Sequence, residues 1–162
     1  CERFEINNMN ISLTPVGFVE NRRNQIEDDD WGGIISKIIL TDEFDAESLA
    51  GIEEFSHAEI IFYFDRVKRE KIVTGSRYPR GRQDWGKVGI FAQRGKNRPN
   101  QIGLTTVRII QQEGKILFVQ GLDAINGTPV LDIKPVMREF QPKEKLRQPK
   151  WATELMKEYW KK

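Results

Sequence analysis

The stretch FAQRGKNRPNQIG, residues 91–103, sets Arg94, Lys96 and Arg98 within five positions of one another, between two apolar runs. Guanidinium forks match carboxylate and phosphate oxygens two at a time. Gly95 and Gly103 permit close backbone approach, while Pro99 fixes its own φ and biases Arg98 toward an extended shape. Asn97, Asn100 and Gln101 add neutral donors and acceptors. The combination suits an anionic group. The plain alternative is a solvated loop kept soluble by its cations.

Four further stretches carry chemistry-bearing side chains. In GLDAINGTPVLDIKP (121–135), Asp123 and Asp132 flank a tight Asn126-Gly127 turn, which either offers carboxylates and main-chain groups to a small ligand or solvates a strand connection. In EFSHAE (54–59), the sole histidine, His57, opens an apolar strand, where it serves as a base, a ligand contact or a structural hydrogen bonder. DDDWGG (28–33) joins three acids to Trp31 and two glycines; the indole either stacks on a purine or packs as a cover. In SRYPRGR (76–82), Arg77, Arg80 and Arg82 with Tyr78 between them resemble a surface for RNA phosphates and bases, set against a plain exposed loop.

Charge is distributed unevenly. Residues 20–65 hold 13 acids and 3 Lys/Arg, whereas residues 66–112 hold 12 Lys/Arg and 2 acids, although the whole chain is only +2. Either the basic third meets an anionic partner, or the acidic and basic thirds pack side by side. No apolar run approaches a membrane span, and the first ten residues, CERFEINNMN, lack the apolar core of a signal peptide. Cys1 is the only cysteine, so an internal disulfide is impossible and a cytoplasmic setting is expected. With one Cys and one His, no metal site is expected.

The elements that must position these groups read mostly as strands: 12–20, 33–41, 57–65, 87–93, 102–112, 115–124 and 128–136. Residues 57–65 alternate strictly, with Ala58, Ile60, Phe62 and Phe64 on one face. FDAESLAGIEEF (44–55) predicts a short helix capped by Asp45, and WATELMKEYW (151–160) a helix with Trp151, Leu155 and Tyr159 on one stripe. Six or seven short strands with few helices predict a mainly-β single domain, a barrel or folded sheet over 1–137, with a linker and helix over 138–162 packing on the barrel or on a second copy. No strand–GxGxxG–helix unit is present, which disfavours a Rossmann-type enzyme.

The segments TPVGFVEN, GIEEFSHAEIIFYFD, VGIFAQRGKNRPNQIGLTTV and GLDAINGTPVLDIKP together resemble, in order and spacing, the TrmO/TsaA-like family of S-adenosylmethionine-dependent methyltransferases, over residues 12–136. The resemblance implies a β-barrel and a homodimer with S-adenosylmethionine near the interface. It also implies an activity, methylation of N6 of threonylcarbamoyladenosine beside the anticodon of tRNA. It places His57, Ala58, Arg94, Leu104 and the turn Ile125, Asn126, Gly127 and Thr128 at the cofactor, with Asp123 beside them and Asp30 and Trp31 at a poorer match. Lys96, Arg98 and Asn100 join Arg77, Tyr78, Arg80 and Arg82 on the RNA side. His57 and Asp132 are the candidate bases for the N6 proton. Departures from the family pattern at Gln93, Gly95, Lys96, Gln101, Asn126 and Val136, and the tryptophan-rich helix in place of a further domain, suggest a divergent branch. Methylation of a small molecule and non-catalytic cofactor or nucleotide binding therefore remain as alternatives.

Overall fold

The computed structural model describes residues 9–162; Cys1 lies outside them. Six strands close into an antiparallel barrel in the order β1 (Gly17–Glu20), β2 (Ile35–Leu40), β7 (Ile116–Gln120), β6 (Ile102–Glu113), β3 (His57–Tyr63) and β8 (Pro129–Pro135). The pairing of Gly17 with Val130 and Phe18 with Pro129 joins the ends. A two-stranded piece, β4 (Ser76–Arg77) with β5 (Val88–Gly89), stands beside it.

Alternation decides what fills the barrel. On β3, Ala58, Ile60 and Phe62 are buried and the intervening residues are not, as the period-2 pattern predicts. Val19, Ile38, Val107, Leu117, Val119 and Val130 meet them in one core. The twelve-residue β6 is shared: residues 102–108 pair with β3 and residues 108–113 with β7. A register shift between Ile109 and Gln111 bends it from one neighbour to the next. Gly103 pairs with Phe62, and a Cβ there would collide with the Phe62 ring. The glycine thus leaves room for that ring beside β6.

Three elements differ from expectation. Residues 44–55 form two short 3₁₀ turns, Ala46–Leu49 and Ile52–Glu54, rather than one helix; Asp45 does cap the first, accepting from the Glu47 amide at 3.1 Å. Residues 87–93 give only the two-residue β5 and a 3₁₀ turn, Ile90–Ala92, because Gln93 turns inward and its amide bonds the Arg77 and Val88 carbonyls at 3.2 and 2.7 Å. The C-terminal helix α1 covers Lys150–Leu155 only. Beyond it the chain leaves the helix to pair its main chain with the loop before β2. Asp30, Trp31 and Gly32 amides donate to the carbonyls of Glu158, Tyr159 and Lys161 at 3.2, 2.8 and 3.1 Å. That approach is close enough that a Cβ on Gly32 would overlap the Trp160 carbonyl oxygen.

Candidate active site

A groove of about 1510 Å³ opens along one side of the barrel. Its floor includes Phe62, Gly103, Leu104 and Thr105, and its walls come from the 91–98 loop, the 26–31 loop, residues 123–128 and the C-terminal segment. Arg94 reaches into it and donates to the Leu104 carbonyl, which ties the basic loop to the start of β6. Arg98 donates to the Gln93 carbonyl at 2.7 Å and so braces the same loop from behind. Lys96 lines the groove and has no ion-pair partner among the described residues. Phe91 stands at the groove 77 % exposed.

On the opposite wall a hydroxyl–carboxylate chain runs from the barrel to the C-terminal segment. The buried Thr105 hydroxyl donates to Asp123 Oδ1, and the Tyr159 hydroxyl donates to Asp123 Oδ2. Burial first, and the adjacent Asp123 charge second, hold the Tyr159 hydroxyl well above the ordinary tyrosine range. Tyr159 packs with Trp31, Ile34 and Ile125 in a small apolar cluster, and the Arg23 guanidinium lies over Trp31 at 4.2 Å.

Of the residues singled out from the sequence, Trp31, Arg77, Arg80, Arg94, Lys96, Arg98, Leu104, Asp123, Ile125 and Thr128 come together around this groove. The others lie elsewhere. His57 is exposed at the far end of β3, beside Arg108, with its Nδ1 2.7 Å from the Ser56 hydroxyl. Leu104 pairs four residues away with Ile61, about 13 Å along the strand. Ala58 is fully buried in the barrel core. Asp132 points out from β8 and pairs with Lys134 at 2.9 Å. Neither sequence-predicted base lines this groove. Asp30, at φ 62°, serves the docking of the C-terminal segment. The Asn126, Gly127 and Thr128 amides are spent on the Arg23, Val19 and Ile125 carbonyls, so the turn presents side chains rather than free N–H groups.

The basic stretch 76–82 is largely self-satisfied. Arg80 pairs with Asp29 at 2.7 Å, the only ion pair among the described residues that joins the basic third to the acidic one. Arg82 makes a bidentate pair with Asp84 at 2.8 and 2.6 Å and lies over Trp85 at 4.5 Å. Tyr78 lies outside the groove lining, with the Lys87 ammonium 5.5 Å from its ring centre. Asn100, at φ 62°, shapes the turn after Pro99. The sequence reading missed Thr105, Phe91 and Tyr159. The aromatic stripe of the C-terminal segment was the one available signal for Tyr159, and it reads equally well as packing. No helix among the described residues is long and apolar enough to cross a membrane, and no group of three or more potential metal-ligating side chains occurs among them.

A probable S-adenosyl-L-methionine-binding protein of Pyrococcus abyssi is 40% identical over 102 residues, covering 63% of this chain and 53% of its own length. The human tRNA (adenine(37)-N6)-methyltransferase is 38% identical over 102 residues, covering 63% of this chain and 23% of its own length. The crystal structure of TrmO from Pseudomonas aeruginosa superposes with a TM-score of 0.73 at 27% identity, covering 91% of this chain and 64% of that one. The chain thus spans about half the length of the first of these relatives and under a quarter of the human enzyme. The family profile of the tRNA-methyltransferase O N-terminal domain matches residues 26–141, most of the barrel and its groove, and the chain belongs to that family.

Proposed function

We propose that this chain is an S-adenosylmethionine-dependent methyltransferase acting on N6 of adenosine 37 of tRNA, in its threonylcarbamoyl form, in the cytoplasm. The carrying observation is the convergence of Arg94, Leu104, Ile125 and Thr128 on one groove that belongs to the shared family domain. The groove fits the methyl donor chemically. It combines apolar walls at Trp31 and Ile125 with an exposed guanidinium at Arg94, suited to the donor's carboxylate. When bound, the donor supplies an electrophilic methyl group on a sulfonium. The protein's share is to align an adenine nitrogen with that methyl and to exclude water, where positioning alone supplies much of the rate.

The tRNA side of the reading rests on Lys96 and Arg77 at the groove, with Lys68, Arg69 and Lys71 on the neighbouring surface, a set of cations suited to phosphates. The reading includes a homodimer. His57, which the family resemblance sets at the cofactor, lies at the far end of β3 from this groove, and a second copy laid across β3 and β6 would bring it to a composite site. Among the described residues, 9–137 are then the methyltransferase barrel, and 138–162 a segment that completes the groove. The test is incubation of the chain with methyl-labelled S-adenosylmethionine and tRNA carrying threonylcarbamoyladenosine. Label in N6-methylated nucleoside is expected. No label in RNA, with cofactor binding measured in parallel, overturns the reading in favour of a small-molecule enzyme or a binding module.

A further inference from the structure

Methylation at N6 requires that a proton leave the nitrogen, and the groove contains four carboxylates that could take it: Glu27, Asp28, Asp65 and Asp123. Glu27 is ion-paired with Arg23 at 2.8 Å. Asp28 and Asp65 are exposed to solvent. Asp123 differs from all three. It is half-buried between the buried Leu122 and Ala124, and both of its oxygens are fixed by hydroxyl donors, Thr105 from the floor and Tyr159 from the C-terminal wall. The Tyr159 hydroxyl, held protonated by burial and by that carboxylate, acts as a donor and does not itself take the proton.

We infer that Asp123 is the catalytic residue that receives the N6 proton, and that Thr105 and Tyr159 are positioning residues that aim it. The inference rests on the methyl-transfer reading above. The N6 lone pair forms the new N–C bond as the S–C bond breaks. The sulfonium leaves as a neutral thioether, and the N6 proton passes to Asp123. The demand on the carboxylate is small: as the N–C bond forms, the nitrogen gains positive charge and its proton becomes strongly acidic. Each carboxylate oxygen keeps a second lone pair after accepting one hydroxyl, so an N–H can bind without displacing either donor. The assignment moves Asp123 from cofactor contact to acceptor side, and it gives the C-terminal segment a part in catalysis.

The experiment compares Asp123→Asn and the double variant Thr105→Val/Tyr159→Phe with the wild-type chain. It measures single-turnover methylation at saturating tRNA and S-adenosylmethionine, and cofactor Kd by calorimetry. Asp123→Asn is expected to lose roughly 10²-fold or more in rate with cofactor Kd within about threefold of wild type. The double variant, which keeps the charge but frees it to rotate, is expected to lose about tenfold in rate with Kd unchanged. A rate within about threefold of wild type for Asp123→Asn overturns the assignment, as does a loss of cofactor affinity as large as the loss of rate. If Asp123→Asn does not fold, the double variant decides, and an unchanged rate there overturns the assignment. A wild-type chain that transfers no methyl overturns the preceding reading and this one with it; an active wild type with unimpaired variants overturns this one alone.

Discussion

The hydroxyl of Tyr159 donates to Asp123 across 36 residues of sequence, and in doing so joins the C-terminal segment to the barrel's groove. The bond has a consequence for stability. The folded chain holds the Tyr159 proton more tightly than the unfolded chain, in which an ordinary tyrosine ionises near pH 10. Above that pH the unfolded state has bound fewer protons than the folded one, so stability falls as pH rises; below it the contribution is fully present. Thermal unfolding of wild type between pH 9 and 11 is expected to decline more steeply than that of Tyr159→Phe. Parallel curves would show that Tyr159 ionises freely in the folded chain.

Gly32 passes beneath the Trp160 carbonyl with no room for a Cβ, and main-chain oxygen cannot turn aside as a flexible side chain would. Gly32→Ala is expected to cost about 1–3 kcal/mol, and the loss should be local. The barrel core is expected to keep its packing, while the segment after residue 148 becomes sensitive to protease. Proteolysis with mass-spectrometric mapping tests this, and protection equal to wild type would contradict it.

Arg94 is exposed, and its contact with the Leu104 carbonyl contributes little to folding. Arg94→Ala is therefore expected to leave the unfolding free energy within about 0.5 kcal/mol of wild type. Loss of a charge-assisted bond to the cofactor's carboxylate, worth about 1.5–3 kcal/mol, should weaken cofactor Kd by about 10- to 150-fold. Calorimetric titration measures it, and an unchanged Kd would remove Arg94 from the cofactor site.

The ion pairs sort the cations by availability. Lys96 is without an ion-pair partner among the described residues, while Arg80 and Arg82 are held by Asp29 and Asp84. In tRNA binding titrated against salt, Lys96→Ala is expected to lower the log–log slope by about one, the signature of one lost phosphate contact. Arg82→Ala should change the slope far less. Equal slopes for the two variants would mean that the Arg82–Asp84 pair opens on binding.

The barrel was legible in the chain because strand periodicity is local. Ala58, Ile60 and Phe62 alternate with polar neighbours within seven residues, and that pattern places them inside whatever sheet β3 joins. Turn chemistry was legible for the same reason, as at Asn126-Gly127 and the Asp45 cap. The groove was only half legible. Arg94, Leu104, Ile125 and Thr128 sit in motifs and do converge. What the motifs do not encode is which side chains the fold leaves free. Arg80 and Arg82 read as RNA contacts in the sequence and are spent on carboxylates in the fold, one of them 51 residues away. His57 and Asp132 have suitable chemistry but lie outside the groove lining, His57 four strand positions along β3 from the Ile61–Leu104 pair and Asp132 opposite Ile61 on β8. Asp123 and Tyr159 lie 36 residues apart with no periodic relation between them. Strand register and the docking of the C-terminal segment bring them together, and these are long-range packing decisions that no local pattern records.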